Sequence, residues 1–236
     1  MSSPSSSSSF LLHTSLRHDP LLLTVHQNPL YPHASHNYTH PTPLYLLPLH
    51  RDRLLRSATY FKFTPAISLL SGPDGLERLS NFITSELSKS PPGTSGPLRL
   101  RITLSPSGSL TLTSHPKPPV PLSSLFPSSL SLSPPDPSQI YTITLDTAKT
   151  TPSKYTHYKT THRPMYDTAR ERAHIDANSE VLLVNENDGS IMEGSITTSY
   201  FFRNGRWVTP PVKAQYEDGA DSGGNDGTSR RWALER

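Results

Sequence analysis

A chain of 236 residues can bury one large core or two modest ones, yet only 33% of it is hydrophobic, so part of it must lie outside any core. The formal charge of +3 arises from 22 basic and 19 acidic residues spread along the chain, a pattern that argues against a nucleic-acid footprint. No apolar run reaches the ~20 residues that span a bilayer, the N-terminus lacks the features of a secretory signal, and the absence of cysteine excludes disulfides and thiolate chemistry. A cytoplasmic protein is expected, without a membrane or nucleic-acid partner.

The polar surplus is concentrated in a nearly all-serine stretch at 1–9 and in Pro/Ser-rich stretches at 90–97 and 116–137. Such segments bury too little apolar surface to offset their ordering entropy, and they read as a tail, a loop and a linker. The expected organisation is a disordered tail (1–9), a smaller N-terminal α+β domain (10–115), a linker (116–138) and a β-rich C-terminal domain (139–236).

In chain order, short strands are expected at 10–13 and 21–25. A histidine-rich loop at 26–40 follows. Its four histidines are interspersed with prolines, and no cysteine or carboxylate joins them, so it reads as a polar surface loop and not as a metal site. Residues 50–63 predict a helix, with Leu54, Ala58 and Phe61 sharing a face. A second helix is predicted over 75–88, with Asp74 and Glu77 spaced as a capping box and a stripe of Leu76, Leu79, Phe82, Ile83 and Leu87. The alternation "LRLRITLSPSGSLTLTS" over 98–114 predicts a hairpin, and "IYTITLD" at 140–146 another strand. Pro164 suits the first turn of a helix carrying Tyr166, Ala169, Arg170 and Ala173. Asp188-Gly189 and Asn204-Gly205, set between apolar runs, mark tight hairpins. The second half is therefore expected to be antiparallel with one helix inserted.

Four places could carry chemistry. Lys159 is either a solvated surface charge or an amine that sheds its proton in a shielded site. Glu193, on a strand just before small and hydroxyl residues, is either a solvated edge residue or the partner of a buried cation such as a protonated pyridine nitrogen. Gly227, Thr228 and Ser229, ahead of a helix expected from Arg230, are either an anion site at a helix start or a glycine loop with a cap. Arg53, on the first long helix, is either an exposed arginine or a phosphate ligand.

The ordered segments "YKTTHRPMYDTAR", "EVLLVNENDGSIMEGSITTSYFF", "WVTPP" and "GGNDGTSRRWALE" closely resemble the fold-type IV pyridoxal-phosphate enzymes, the group of branched-chain and D-amino-acid aminotransferases and 4-amino-4-deoxychorismate lyase. With "TSLRHDP", "YLLPLHRDRLLRSA" and a lysine followed by "TTHR", the finer resemblance is to the fungal aminodeoxychorismate lyases, and it covers most of residues 10–236. The resemblance implies the two-domain, D-amino-acid-aminotransferase-like α+β fold. It makes Lys159 the lysine that carries pyridoxal 5'-phosphate, Glu193 the carboxylate facing the ring nitrogen and Arg53 a phosphate ligand. Ser229 becomes a hydroxyl of the phosphate loop, with Gly227 and Thr228 beside it. No metal is implied. The implied activity is elimination of pyruvate from aminodeoxychorismate to give p-aminobenzoate for folate synthesis. The alternatives are a class IV aminotransferase or an inactive truncated homologue. A homodimer is expected by resemblance alone. Family members also continue with further strands past the helix near Arg230, so the second domain is expected to be incomplete, and residues 212–222 are longer and more acidic than the link expected there.

Overall fold

The computed structural model describes residues 10–89, 96–130, 140–219 and 223–235; the serine tail and part of each Pro/Ser stretch lie outside these. The first strand, β1 (Leu12–His18), is followed by a 3-10 helix at Pro20–Gln27, where a strand was expected. Asp19 caps this turn by accepting from the Leu21 amide at 3.0 Å, and Pro20 supplies the helical φ at its start. Only Leu22 and Val25 are buried, three residues apart as a helical turn requires, so the "LLLTV" run buries a stripe and not a strand face. A short helix α1 (His36–Thr39) then leads to α2 (Leu47–Tyr60), α3 (Thr64–Leu70) and α4 (Gly75–Ser88). Among the described residues, no group of three or more His, Asp or Glu is arranged to hold a metal.

Helix α4 forms where its stripe predicts it, but the capping box does not: Asp74 makes no side-chain cap and lies 3.8 Å from Arg78 instead. Strands β2 (Leu98–Leu104) and β3 (Leu110–Pro116) form the expected hairpin and complete an antiparallel sheet in the order β1-β2-β3. Its alternation decides its two faces. Leu98, Leu100, Ile102 and Leu104 join Leu12 and Leu16 in a core against Leu54, Ala58, Leu70, Leu79 and Ile83 of the helices. The opposite face carries His13, Ser15, Arg99 and Arg101 and is left for polar work, with Ser15 paired directly to Arg101.

Within the Pro/Ser-rich stretch, the short helix α5 (Leu122–Leu125) buries Leu122, and Phe126 follows into the same cluster as Leu22, Val25 and Trp232. Strand β4 (Thr142–Thr150), the one-turn helix α6 (Lys154–His157) and α7 (Pro164–Ala173) come next, and then β5 (Ser179–Asn185) and β6 (Ile191–Gly194). Strands β4 and β5 pair in parallel, which corrects the expectation of an antiparallel second half; within this sheet β5 and β6 alone run antiparallel. The cause is the connection. A chain that leaves β4 and returns through a helix packed on the sheet comes back in the same direction. Tyr166 and Ala169 of α7 seal the crossover against Val181, Leu183 and Met192. A separate hairpin, β7 (Phe201–Arg203) and β8 (Arg206–Val208), turns through Asn204-Gly205, both at positive φ. Helix α8 (Thr228–Leu234) begins two residues before the expected Arg230, and its Trp232 donates to the His33 carbonyl at 2.9 Å.

Candidate active site

The polar face of the first sheet, the segment between α6 and α7, the end of β6 and the start of α8 enclose a cavity of about 560 Å³. All six residues singled out in the sequence line it: Arg53, Lys159, Glu193, Gly227, Thr228 and Ser229. Sequence spacing cannot bring Arg53 and Lys159 together; the sheet does. The segment after α6 docks on the free edge of β1, with the His13 amide donating to the Lys159 carbonyl at 3.0 Å and the Thr161 amide to the Leu11 carbonyl at 2.8 Å. The box formed by Ser153 and Thr156 caps the start of α6, and Tyr158, in extended conformation, ends it after one turn, just before Lys159. Lys159 lies five residues before α7, next to Thr160, which forms a β-bridge with Leu12.

Burial lowers the Lys159 amine to about 8, helped by the Arg53 charge and partly opposed by Glu193. A fall from 10.5 to about 8 leaves roughly three-hundredfold more neutral amine at neutral pH. Glu193 moves in the opposite direction, raised to about 7 by burial, while a hydrogen bond from Tyr166 and one from a backbone amide act to lower it. The Tyr166 hydroxyl donates to Oε1 of Glu193 at 2.6 Å and the Asn225 amide donates to Oε2 at 3.1 Å. Burial, and then the Glu193 carboxylate, hold the Tyr166 phenol protonated well above its ordinary range. The Arg163 guanidinium lies over the Tyr166 ring, 4.7 Å from its centroid.

Arg53 extends from α2 and donates through Nη2 to Thr14 Oγ1, with His50 Nδ1 3.4 Å away. Its buried Nε has no hydrogen-bond partner, and both ring nitrogens of His13, 6% exposed on the same cavity, are likewise without one among the described residues. Burial, then the charges of Lys159, Arg101, Arg53 and Arg163, push the His13 imidazole down to about 2, so it stands neutral beside the cations.

The start of α8 divides the expected anion loop. The Thr228 hydroxyl turns to His50 Nε2 at 3.5 Å, and Ser229 is exposed at the rim. Gly227 is a close approach, since a Cβ there would stand 2.9 Å from Thr198 Oγ1. Because α8 has only seven residues, the cavity's attraction for an anion falls chiefly to Arg53.

Charge sorts the site from its surroundings. Nearby arginines are neutralised: Arg17 by Asp19 at 2.7 Å, and Arg56 and Arg230 by Asp226 at 2.9 and 3.0 Å. Among the described residues, Arg53, Arg99, Arg101 and Lys159 have no carboxylate within ion-pair distance, and Glu193 is the one acidic side chain lining the cavity. An orphaned buried Nε on Arg53, a small-residue cradle, a partly deprotonated lysine and a carboxylate in the same cavity fit a phosphorylated aldehyde cofactor with a basic ring nitrogen. His13, Arg99, Arg101, Arg163, Tyr166 and Asn225 were not singled out in the sequence. The period-2 "LRLR" was the available signal for the two strand arginines, since alternation with buried leucines puts both on one face.

No curated protein matches the chain. Among solved structures, it is similar to a Mesorhizobium loti protein provisionally described as an amino-acid aminotransferase (21% identity, TM-score 0.60, covering 96% of this chain and 83% of that one). It is also similar to the fold IV transaminase CpuTA1 from Curtobacterium pusillum (16%, TM-score 0.56, covering 95% and 65%) and to a hypothetical aminotransferase from Mycobacterium tuberculosis in its apo form (17%, TM-score 0.55, covering 95% and 66%). The chain thus spans just under two thirds of the latter two. These likenesses establish the fold. Residues 37–236 match the family model of class IV amino-transferases, and the chain belongs to that family.

Proposed function

We propose that the protein is a pyridoxal-phosphate-dependent aminodeoxychorismate lyase, releasing pyruvate and leaving p-aminobenzoate. The observation that carries this reading is the charge imbalance of the cavity. One half-buried carboxylate, Glu193, shares the cavity with Lys159, Arg53, Arg99 and Arg101, which have no carboxylate within ion-pair distance among the described residues. A cofactor phosphate accounts for Arg53. A substrate with two carboxylates accounts for the arginines of β2, whereas an ordinary amino acid with one carboxylate leaves one of them uncompensated.

Pyridoxal phosphate, when bound, supplies an electron sink that acidifies the C–H bond beside the substrate's amine. Lys159, with its lowered affinity for protons, takes that proton as a general base. The C–O bond on the neighbouring carbon then breaks, its electron pair leaves with the enolpyruvate, which takes up a proton to become pyruvate, and the ring is left aromatic. Glu193 holds a proton or positive charge at the ring nitrogen, kept in place by Tyr166 and the Asn225 amide. Arg53, with its unpartnered Nε, receives the phosphate. Arg99 and Arg101, two residues apart on β2, orient the substrate carboxylates.

The test is to supply the purified, cofactor-loaded protein with enzymatically generated aminodeoxychorismate. Stoichiometric pyruvate with p-aminobenzoate, and no amino transfer to 2-oxoglutarate, is expected. Amino transfer without pyruvate would replace this reading by an aminotransferase. After borohydride reduction, peptide mass spectrometry should place the cofactor on Lys159, and Lys159→Ala should carry none.

A further inference from the structure

Glu180, on β5, does not line the cavity and is 5% exposed. A carboxylate so buried must find hydrogen-bond donors, and this one has five. Oε1 accepts from the amides of Val181 (2.9 Å) and Ser195 (2.8 Å) and from the Ser195 hydroxyl (2.5 Å). Oε2 accepts from the Ile196 amide (3.1 Å) and the Thr197 hydroxyl (2.6 Å). Arg170 Nη1 stands 3.7 Å from Oε1 and donates to Ser195 Oγ at 2.9 Å. Four of the five bonds come from residues 195–197, the turn that leaves β6 two residues after Glu193 and forms one wall of the cavity. The fit leaves no room for a side chain at the hinge, since a Cβ on Gly194 would lie 2.7 Å from Glu180 Oε2.

The turn is coupled to the site by a second route. The Ser195 carbonyl accepts from Arg163 Nη2 at 3.0 Å, Arg163 covers the Tyr166 ring, and Tyr166 donates to Glu193. Glu180 therefore fixes both the covalent continuation of Glu193 and the arginine that holds Tyr166 against it. We infer that Glu180 is a positioning residue for Glu193, setting the register at which Glu193 and Tyr166 meet the cofactor. The inference rests on the reading of Glu193 as the carboxylate facing the cofactor ring. If Glu180 did no more than satisfy a buried turn, its loss would lower stability and leave the cofactor's environment as it was.

Glu180→Gln tests this at constant shape. Backbone amides, which can only donate, face both oxygens (Val181 and Ser195 at Oε1, Ile196 at Oε2), so an amide nitrogen on either side meets a donor head-on and loosens the clamp. Ser195→Ala removes one bond to Glu180 and keeps the backbone intact, and it decides the matter should Glu180→Gln fail to fold. The readouts are equilibrium affinity for pyridoxal phosphate and the pH midpoint of the bound cofactor's visible band, with Glu193→Gln alongside. The charged or titratable groups facing Glu193 that bear on this midpoint are Lys159, Arg163 and Tyr166.

Glu180→Gln should weaken cofactor binding about tenfold and move the midpoint by about half a pH unit or more, with Ser195→Ala shifting both the same way by less. If Glu193→Gln changes both readouts while Glu180→Gln and Ser195→Ala leave both at wild-type values, the inference is overturned and the site reading stands, even if melting temperatures fall. If Glu193→Gln itself changes neither, the site reading fails and the inference with it.

Discussion

Tyr166→Phe deletes one hydroxyl and nothing else, and the structure fixes what that hydroxyl does. It lies 2.6 Å from Glu193 Oε1 and 3.3 Å from the Thr156 carbonyl, so its single proton belongs to the carboxylate. A hydrogen bond to an ionised group contributes about 1.5–3 kcal/mol and one to a neutral acid about 1 kcal/mol. Their difference, about 0.5–2 kcal/mol, raises Glu193 by about one pH unit, from about 7 to about 8. The sign follows from linkage. An acid whose folded pKa lies above its unfolded value of 4.5 binds more protons when folded, so it lowers stability as pH rises between the two and is flat above. In the variant that decline continues about one unit further. Urea unfolding of the cofactor-free protein should show Tyr166→Phe costing about 1 kcal/mol at pH 5.5 and about 2–3 kcal/mol at pH 9. An equal cost at both pH values would refute the assignment of the hydroxyl to Glu193, and a cost larger at low pH would reverse the linkage.

Three further outcomes are expected. The rate at which cofactor-free protein captures pyridoxal phosphate should rise about tenfold per pH unit and level off near 8, where Lys159 loses its proton; stopped-flow absorbance that keeps climbing towards 10.5 would place the amine in solvent. Arg53→Met should weaken cofactor affinity at least about 30-fold, close to 2 kcal/mol, with affinity for the unphosphorylated aldehyde unchanged in parallel titrations. Gly194→Ala should cost about 1–3 kcal/mol in unfolding experiments, because its Cβ would stand 2.6 Å from Thr197 Oγ1 and 2.7 Å from Glu180 Oε2.

The local pattern of residues was enough to place α4, the hairpin of β2 and β3 and the tight turn at Asn204-Gly205, because periodicity and turn chemistry act over a few residues; Asp188-Gly189 instead falls in a five-residue loop between Asn185 and Ile191, with Gly189 alone of the pair at positive φ. Lys159, Glu193 and Arg53 were singled out by family resemblance, since each taken by itself reads equally as an ordinary solvated residue. The same local reasoning turned Pro20–Gln27 into a strand, because a run of leucine and valine does not say which of its members will be buried; Asp19 and the packing of Leu22 and Val25 decided for a helical turn. It made the second sheet wholly antiparallel, since the direction of β4 against β5 is set by where α7 packs and not by either strand. The sequence by itself determined which groups could do chemistry. Only the tertiary structure decided that Lys159 and Arg53 line one cavity, that Arg99 and Arg101 face it without carboxylate partners among the described residues, and that Glu180 clamps the turn behind Glu193. Proton affinity, anion binding and hydrogen-bond satisfaction all depend on distance and burial, and residues more than a hundred positions apart acquire those only when the chain has folded.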